Sequence, residues 1–155
     1  MSESEQFCTF LIGEFRCALP VASVIEVHAH QRLTPVPLAP ETVAGLLNLR
    51  GQILTVLDLR RHVLERSETL SAEPMTLVLD RDGQPVALLV DTIGDVVRCR
   101  SGALLPAPET IPRRLRSLTR AVIHDGDLVT LVFDPAAVAN VSDATPSLSL
   151  VGGVA

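Results

Sequence analysis

Apolar residues along this chain fall in short runs cut by turn formers, and they rarely repeat at helical spacing. FCTFLI (7–12) and FRCALP (15–20), split by Gly13-Glu14, predict a hairpin. In VASVIEV (21–27) the apolar residues lie too close together for clean alternation, which predicts a turn of helix running into a strand. HAHQRLTPVPLAP (28–40) carries three prolines and predicts a loop or broken edge strand. Pro40-Glu41-Thr42-Val43 predicts one helical turn. GLLNLR (45–50) and QILTVLDL (52–59) predict two strands turning near Gly51, and LRRHVLE (59–65) a short helix capped by Asp58.

After the polar stretch SETLSAEP (67–74) the pattern restarts. MTLVLD (75–80) and PVALLVD (85–91), joined through Arg81-Asp82-Gly83, predict a second hairpin. GDVVRCR (94–100) predicts a strand and SGALLPAPETIPRR (101–114) a proline-rich crossover. LTRAVIH (118–124) and LVTLVFD (128–134) flank Asp125-Gly126-Asp127 as a third strong hairpin, and 135–141 follows as a short helix capped by Asp134. The halves echo each other: ILTVLDLRRHVL (53–64) parallels LVTLVFDPAAVA (128–139), and 10–27 parallels 77–97. About five strands in each half predict a mainly all-β chain of two small barrels packed together, an arrangement that hides sheet edges.

Composition narrows the function. The chain has 155 residues, 47% of them apolar, enough for a core. It has four Phe and neither Trp nor Tyr, so it can hardly build the aromatic platforms that bind single-stranded nucleic acid. A net charge of −5, with no basic cluster longer than 113–116, also argues against nucleic acid. Cys8, Cys17 and Cys99 are odd in number and in no CxxC, as expected of small buried hydrophobes in a reducing cytosol. The acidic start lacks the basic and apolar regions of a signal peptide, and no run is long enough for a membrane helix.

Candidate chemistry is sparse. His28-x-His30 has no third ligand at suitable spacing, so no metal is expected. The Asp-Gly turns lack the twelve-residue calcium series ending in Glu. There is no nucleophile elbow, phosphate loop or dinucleotide fingerprint, and no catalytic residue or cofactor is expected. Asp58, Asp91 and Asp134 each close an apolar strand, and capping accounts for Asp58 and Asp134. Arg50 stands out within its apolar surroundings. A guanidinium there must reach solvent or find a carboxylate. It is either a neutral edge-strand residue or a seam residue paired internally or offered to a partner, and spacing does not choose.

GLLNLRGQILTVLDLR (45–60) closely resembles the signature of the CheW family of chemotaxis coupling proteins. The opening hairpin with its Val-x-Glu-Val stretch, the proline loop 34–45, the segment 85–100 and LLPAPE (104–109) follow in the family's order, over roughly 6–141. Ala87 stands where the family often has Gly, and the tail after 141 shows no family pattern. The resemblance implies a single domain over 6–141, made of two SH3-like five-stranded barrels. A linker would lie near 66–74, the chain would cross between barrels at its ends, and termini 1–5 and 142–155 would be flexible.

It also implies a non-catalytic cytoplasmic adaptor, monomeric alone, found in arrays with its partners. Those partners would be the regulatory domain of a CheA-type histidine kinase and the helical-hairpin tip of a chemoreceptor, the latter in a groove between the barrels. Carried over by motif, Val24, Glu26, Val27, Arg50, Val96 and Val97 become groove residues, with Glu26 as partner for Arg50. Gly45, Asn48 and Gly51 become turn or close-approach residues. Two rival readings remain: a small-ligand barrel or enzyme using the groove, and a regulator that binds only the kinase.

Overall fold

The computed structural model describes residues 3–64 and 70–141. The expected mobile tail 142–155, residues 1–2 and the first part of the expected linker, 66–69, lie outside that set. The strands are β1 (Ser4–Ile12), β2 (Phe15–Pro20), β3 (Val24–His28), β4 (Val43–Leu49), β5 (Gln52–Asp58), β6 (Met75–Arg81), β7 (Gln84–Val90), β8 (Thr92–Arg100), β9 (Thr119–Asp125) and β10 (Leu128–Phe133). The helices are α1 (Leu59–Val63), α2 (Arg113–Arg116) and α3 (Pro135–Ala139). The strands form two five-stranded SH3-like barrels. The first has the order β8-β1-β2-β10-β9 and the second β3-β6-β7-β5-β4.

Laid side by side, the two orders match β1 with β6, β2 with β7, β3 with β8, β4 with β9 and β5 with β10. Each order contains one parallel pair at the same place, β2 with β10 and β5 with β7. The repeat seen in the sequence is therefore real, but neither half makes a barrel of its own. In each half the third strand leaves its hairpin and joins the other barrel. One crossing runs through a 3-10 turn at Val21–Ser23, where the Ser23 hydroxyl donates to Pro20 O at 2.7 Å.

This exchange explains why the apolar runs do not alternate. On β2, Cys17 and Leu19 join the largest buried cluster while Ala18 joins the small interior of the first barrel. On β6, Leu77 and Leu79 join the large cluster and Val78 the interior of the second barrel. Strands buried on both faces read as continuous apolar sequence. The largest cluster draws on both barrels, with Phe10, Ile12 and Leu19 from one and Leu57, Leu79 and Leu88 from the other.

Local chemistry sets the ends of the elements. The Asp58 carboxylate accepts from Arg60 N at 3.0 Å, and the Asp134 carboxylate from Ala136 N at 3.1 Å, so each caps its helix. The β4–β5 turn is Arg50-Gly51, with φ of 53° and 86° and Leu49 opposite Gln52. Positive φ at both positions is the tight turn that suits the twist of a hairpin. Arg50 is thus not inside a strand; it sits at a hairpin tip. The expected helical turn at Pro40-Val43 is instead a single hydrogen-bonded turn, Val43 N to Pro40 O at 2.9 Å, and Val43 already pairs with Leu57 in the sheet. Pairing outweighs the local preference there. The short helix α2 has one buried residue, Leu115, and so leaves no periodic trace in the sequence.

Gly45 is needed for a close approach. Its φ is 154°, and a Cβ there would stand 2.6 Å from the backbone oxygen of Thr34. That oxygen accepts from Leu46 N at 2.8 Å, pinning the proline loop to β4. Gly45→Ala is expected to cost about 1–3 kcal/mol, since neither the backbone angle nor the contact tolerates the methyl. A urea midpoint unchanged from wild type would show that the loop moves aside freely.

Candidate functional site

Residues directly opposite each other in a sheet share a face, so register places each candidate side chain. On β3, Val24 pairs with Leu79 and Val27 with Leu77, both members of the large cluster shared by the barrels. On β8, Val96 pairs with Cys8, a member of the same cluster. Val24, Val27 and Val96 therefore face the seam. Val24 packs on the cluster, while Val27 and Val96 remain 47% and 55% exposed. Because β3 and β8 are the matching strands of the repeat, the two exposed valines stand on matching strands of the two barrels.

Glu26 and Val97 face elsewhere. Glu26 pairs with Val78, in the interior of the second barrel, and Val97 packs against Phe7 in the interior of the first. The candidates thus divide into an apolar seam face and two flanking positions. The bulge between Val24 and Glu26 lets one short strand serve both.

Glu26 Oε2 accepts from Arg50 Nη2 at 2.5 Å, joining the edge strand β3 to the β4–β5 turn. His28 Nε2 lies 3.9 Å from the same oxygen. The Arg50 side chain is 67% exposed, so the answer to the placement of its charge is both a carboxylate and solvent. Asn48 Oδ1 accepts from Gly51 N at 2.9 Å and fixes the turn that presents Arg50. The hydrogen bond from Arg50 holds the Glu26 carboxyl below its ordinary range, against a smaller opposing effect of burial; the charges of Arg50 and His28 act in the same direction as the bond. In turn, the hydrogen bond and charge of Glu26 raise Arg50.

A second arginine, without any signal in the sequence, holds the inner end of the seam. Arg60 Nε and Nη2 each donate to Asp58 at 2.9 Å, one to each oxygen. Arg60 Nη1 donates to Ser71 O at 2.8 Å and lies 3.7 Å from Asp91 Oδ1. Asp91 Oδ2 accepts from Gly13 N in the β1–β2 turn at 2.6 Å. One buried guanidinium thus ties the second barrel to a turn of the first. Nothing in LRRHVLE distinguishes the buried Arg60 from the exposed Arg61.

The three cysteines are free and buried, and burial pushes the Cys17 and Cys8 thiols up, away from the thiolate form that reacts. Among the described residues no group of His, Cys, Asp and Glu could hold a metal, and no helix is long and apolar enough to cross a membrane.

Two interlocked barrels, with exposed apolar side chains along their seam, make up a double SH3-like protein. The chain belongs to the CheW-like domain family, whose model matches residues 6–143. It is 28% identical over 128 residues to the chemotaxis protein CheW of Helicobacter pylori, spanning 82% of this chain and 77% of that one. It is 35% identical over 107 residues to protein FrzA of Myxococcus xanthus, spanning 68% of this chain and 66% of that one. Its fold matches the scaffolding protein TtCheW of Thermoanaerobacter tengcongensis with a TM-score of 0.75 at 23% identity, over 85% of this chain and 90% of that structure. The chain is an adaptor of chemosensory signalling, and nothing in these likenesses favours a ligand-binding barrel or an enzyme.

Proposed function

We propose that this chain is a non-catalytic coupler. It joins the helical-hairpin tip of a chemoreceptor to the regulatory domain of a CheA-type histidine kinase, in the cytoplasm at membrane-associated receptor arrays. The observation that carries the reading is the pair of exposed valines, Val27 and Val96, on matching strands and facing the seam. An apolar strip between two barrels suits the apolar face of a helix. The Glu26–Arg50 pair lies beside that strip, within reach of charge on an incoming helix. The kinase contact, in this reading, is barrel against barrel and does not use the valines.

The test is a pull-down from purified components, with the soluble receptor tip and the kinase regulatory domain as separate baits. Val27→Asp is expected to lose the receptor about tenfold or more, because docking would bury its carboxylate without a partner, and to keep the kinase. Arg50→Ala is expected to weaken the receptor alone. The Arg50-dependent part has a pH dependence of known sign. Glu26 is depressed in the folded protein, so its pairing is complete above the ordinary carboxylate range and is lost as pH falls through the depressed value. Receptor capture by wild type should be flat from neutral pH down to that range. Equal capture of receptor by wild type and Val27→Asp would remove the seam from the mechanism.

A further inference from the structure

The strand β3 carries two valines on the face it shares with β6. Val24 lies opposite Leu79 and Val27 opposite Leu77, and the bulge between Val24 and Glu26 absorbs the extra residue. The two valines, three positions apart on β3, therefore span only two positions on β6, about 7 Å of strand. Val24 is partly buried and Val27 is 47% exposed, so the pair forms a short apolar strip whose outer end is open.

The chain passes beside this strip at its last described residues. The helix α3 lies against β6. Arg81 Nη1, from the end of β6, donates to Ala139 O at 3.2 Å. Val138, Ala139 and Val141 belong to the cluster that holds Leu77 and Leu79 and on which Val24 packs, so α3 and the valines share one face of β6. Beyond Val141 the sequence continues as SDATPSLSLVGGVA (142–155). From Arg81 to Leu77 is four residues of strand, about 13 Å. Residues 142–146, when extended, span up to about 17 Å, so the residues after Pro146 can reach the strip.

The sequence at that point matches it. Serine and leucine alternate in Ser147-Leu148-Ser149-Leu150, so an extended segment puts both leucines on one side and both serines on the other. The leucines are two residues apart, about 7 Å, which is the spacing of the strip. Asp143 is the one charged side chain of 142–155, and it falls in the spacer, so docking buries no charge. A tether this short gives an effective concentration on the order of millimolar, and a contact of only millimolar strength is then about half populated. A second copy of the chain reaches that concentration only in concentrated solution. We propose that residues 147–150 lie back on β3, with Leu148 and Leu150 against Val24 and Val27. The docking does not rest on the coupling reading; where that reading holds, a receptor helix that takes Val27 must first displace the segment.

The experiment compares amide spectra of the isotope-labelled full chain with those of two double variants. Leu148→Asp with Leu150→Asp should move the resonances of 24–28 on β3 and 77–79 on β6, because docking would bury carboxylates without a partner and the contact is lost. Ser147→Asp with Ser149→Asp adds the same charge on the outer side of the segment and should leave those resonances in place. Val27→Asp gives the reciprocal check, since it should move the amides of 148 and 150. The differences should persist through a dilution of about tenfold, because the contact lies within one chain. Unmoved β3 resonances, or movement by the serine variant as large as by the leucine variant, would overturn the proposal. Differences that fade on dilution would overturn it too, and would place the segment on a second copy. No receptor or kinase is present in this experiment, so its failure would leave the coupling reading standing.

Discussion

Arg60→Ala is expected to destabilise the protein by about 3–5 kcal/mol, the range for removing one partner of a buried ion pair. Arg60 and Asp58 are 5% and 6% exposed. Burial alone would lower the pKa of Arg60; the hydrogen bonds and charge of Asp58, with the charge of Asp91, outweigh it and raise it. Without the guanidinium, Asp58 keeps only its capping bond from Arg60 N, and Asp91 keeps only its bond from Gly13 N. Among the described residues neither carboxylate has another ion pair to take its place. Arg60→Lys should recover only part of the loss, since an ammonium cannot make the two parallel bonds to Asp58. The double variant with Asp58→Asn should cost less than the sum of the single changes, because it removes the stranded charge. Urea unfolding of wild type, Arg60→Ala, Arg60→Lys, Asp58→Asn and the double variant measures this. A loss below about 1 kcal/mol for Arg60→Ala would mean that water reaches the carboxylates and that the arginine is not a lock.

The strands were legible in the sequence because each is an apolar run ended by local chemistry. Gly13-Glu14, Asp82-Gly83 and Gly126-Asp127 turn the hairpins, and Asp58 and Asp134 cap the helices; all act within a few residues. The assignment of strands to barrels was not legible. Whether β3 follows its own hairpin or pairs with β6 depends on residues some fifty positions away, and VASVIEV carries no mark of that choice. The same limit applies at the site. Motif likeness named Glu26 and Arg50, and the structure brings them together, but their distance depends on a turn and an edge strand from separate elements. It also grouped Val96 with Val97, which face opposite sides of β8. Arg60 escaped notice because the partners that mark it as buried come from β5, the β7–β8 junction and Ser71.

Phe133→Ala is expected to cost about 3–5 kcal/mol and to leave a single unfolding transition. Phe133 is fully buried on β10 of the first barrel, and its ring meets Phe10 edge to face, with centroids 5.8 Å apart at 71°. Both rings lie in the cluster that also holds Leu57, Leu77, Leu79 and Leu88 of the second barrel. Each barrel's private interior is small by comparison: Phe7, Ala18, Cys99, Ala121 and Val132 in one, six aliphatic residues in the other. Neither has the burial that an independent small domain needs. Each also owns a hairpin whose sequence neighbours lie in the other barrel, so opening one withdraws strands from both. The cavity left by Phe133 therefore weakens the shared core and both barrels together, and all probes of unfolding should shift by the same amount. Two separated transitions in the variant, one near the wild-type midpoint, would show that the second barrel stands without the first. The proposed docking face would then sit on a hinge; a single shifted transition makes the seam rigid, as the proposed coupling of receptor to kinase requires.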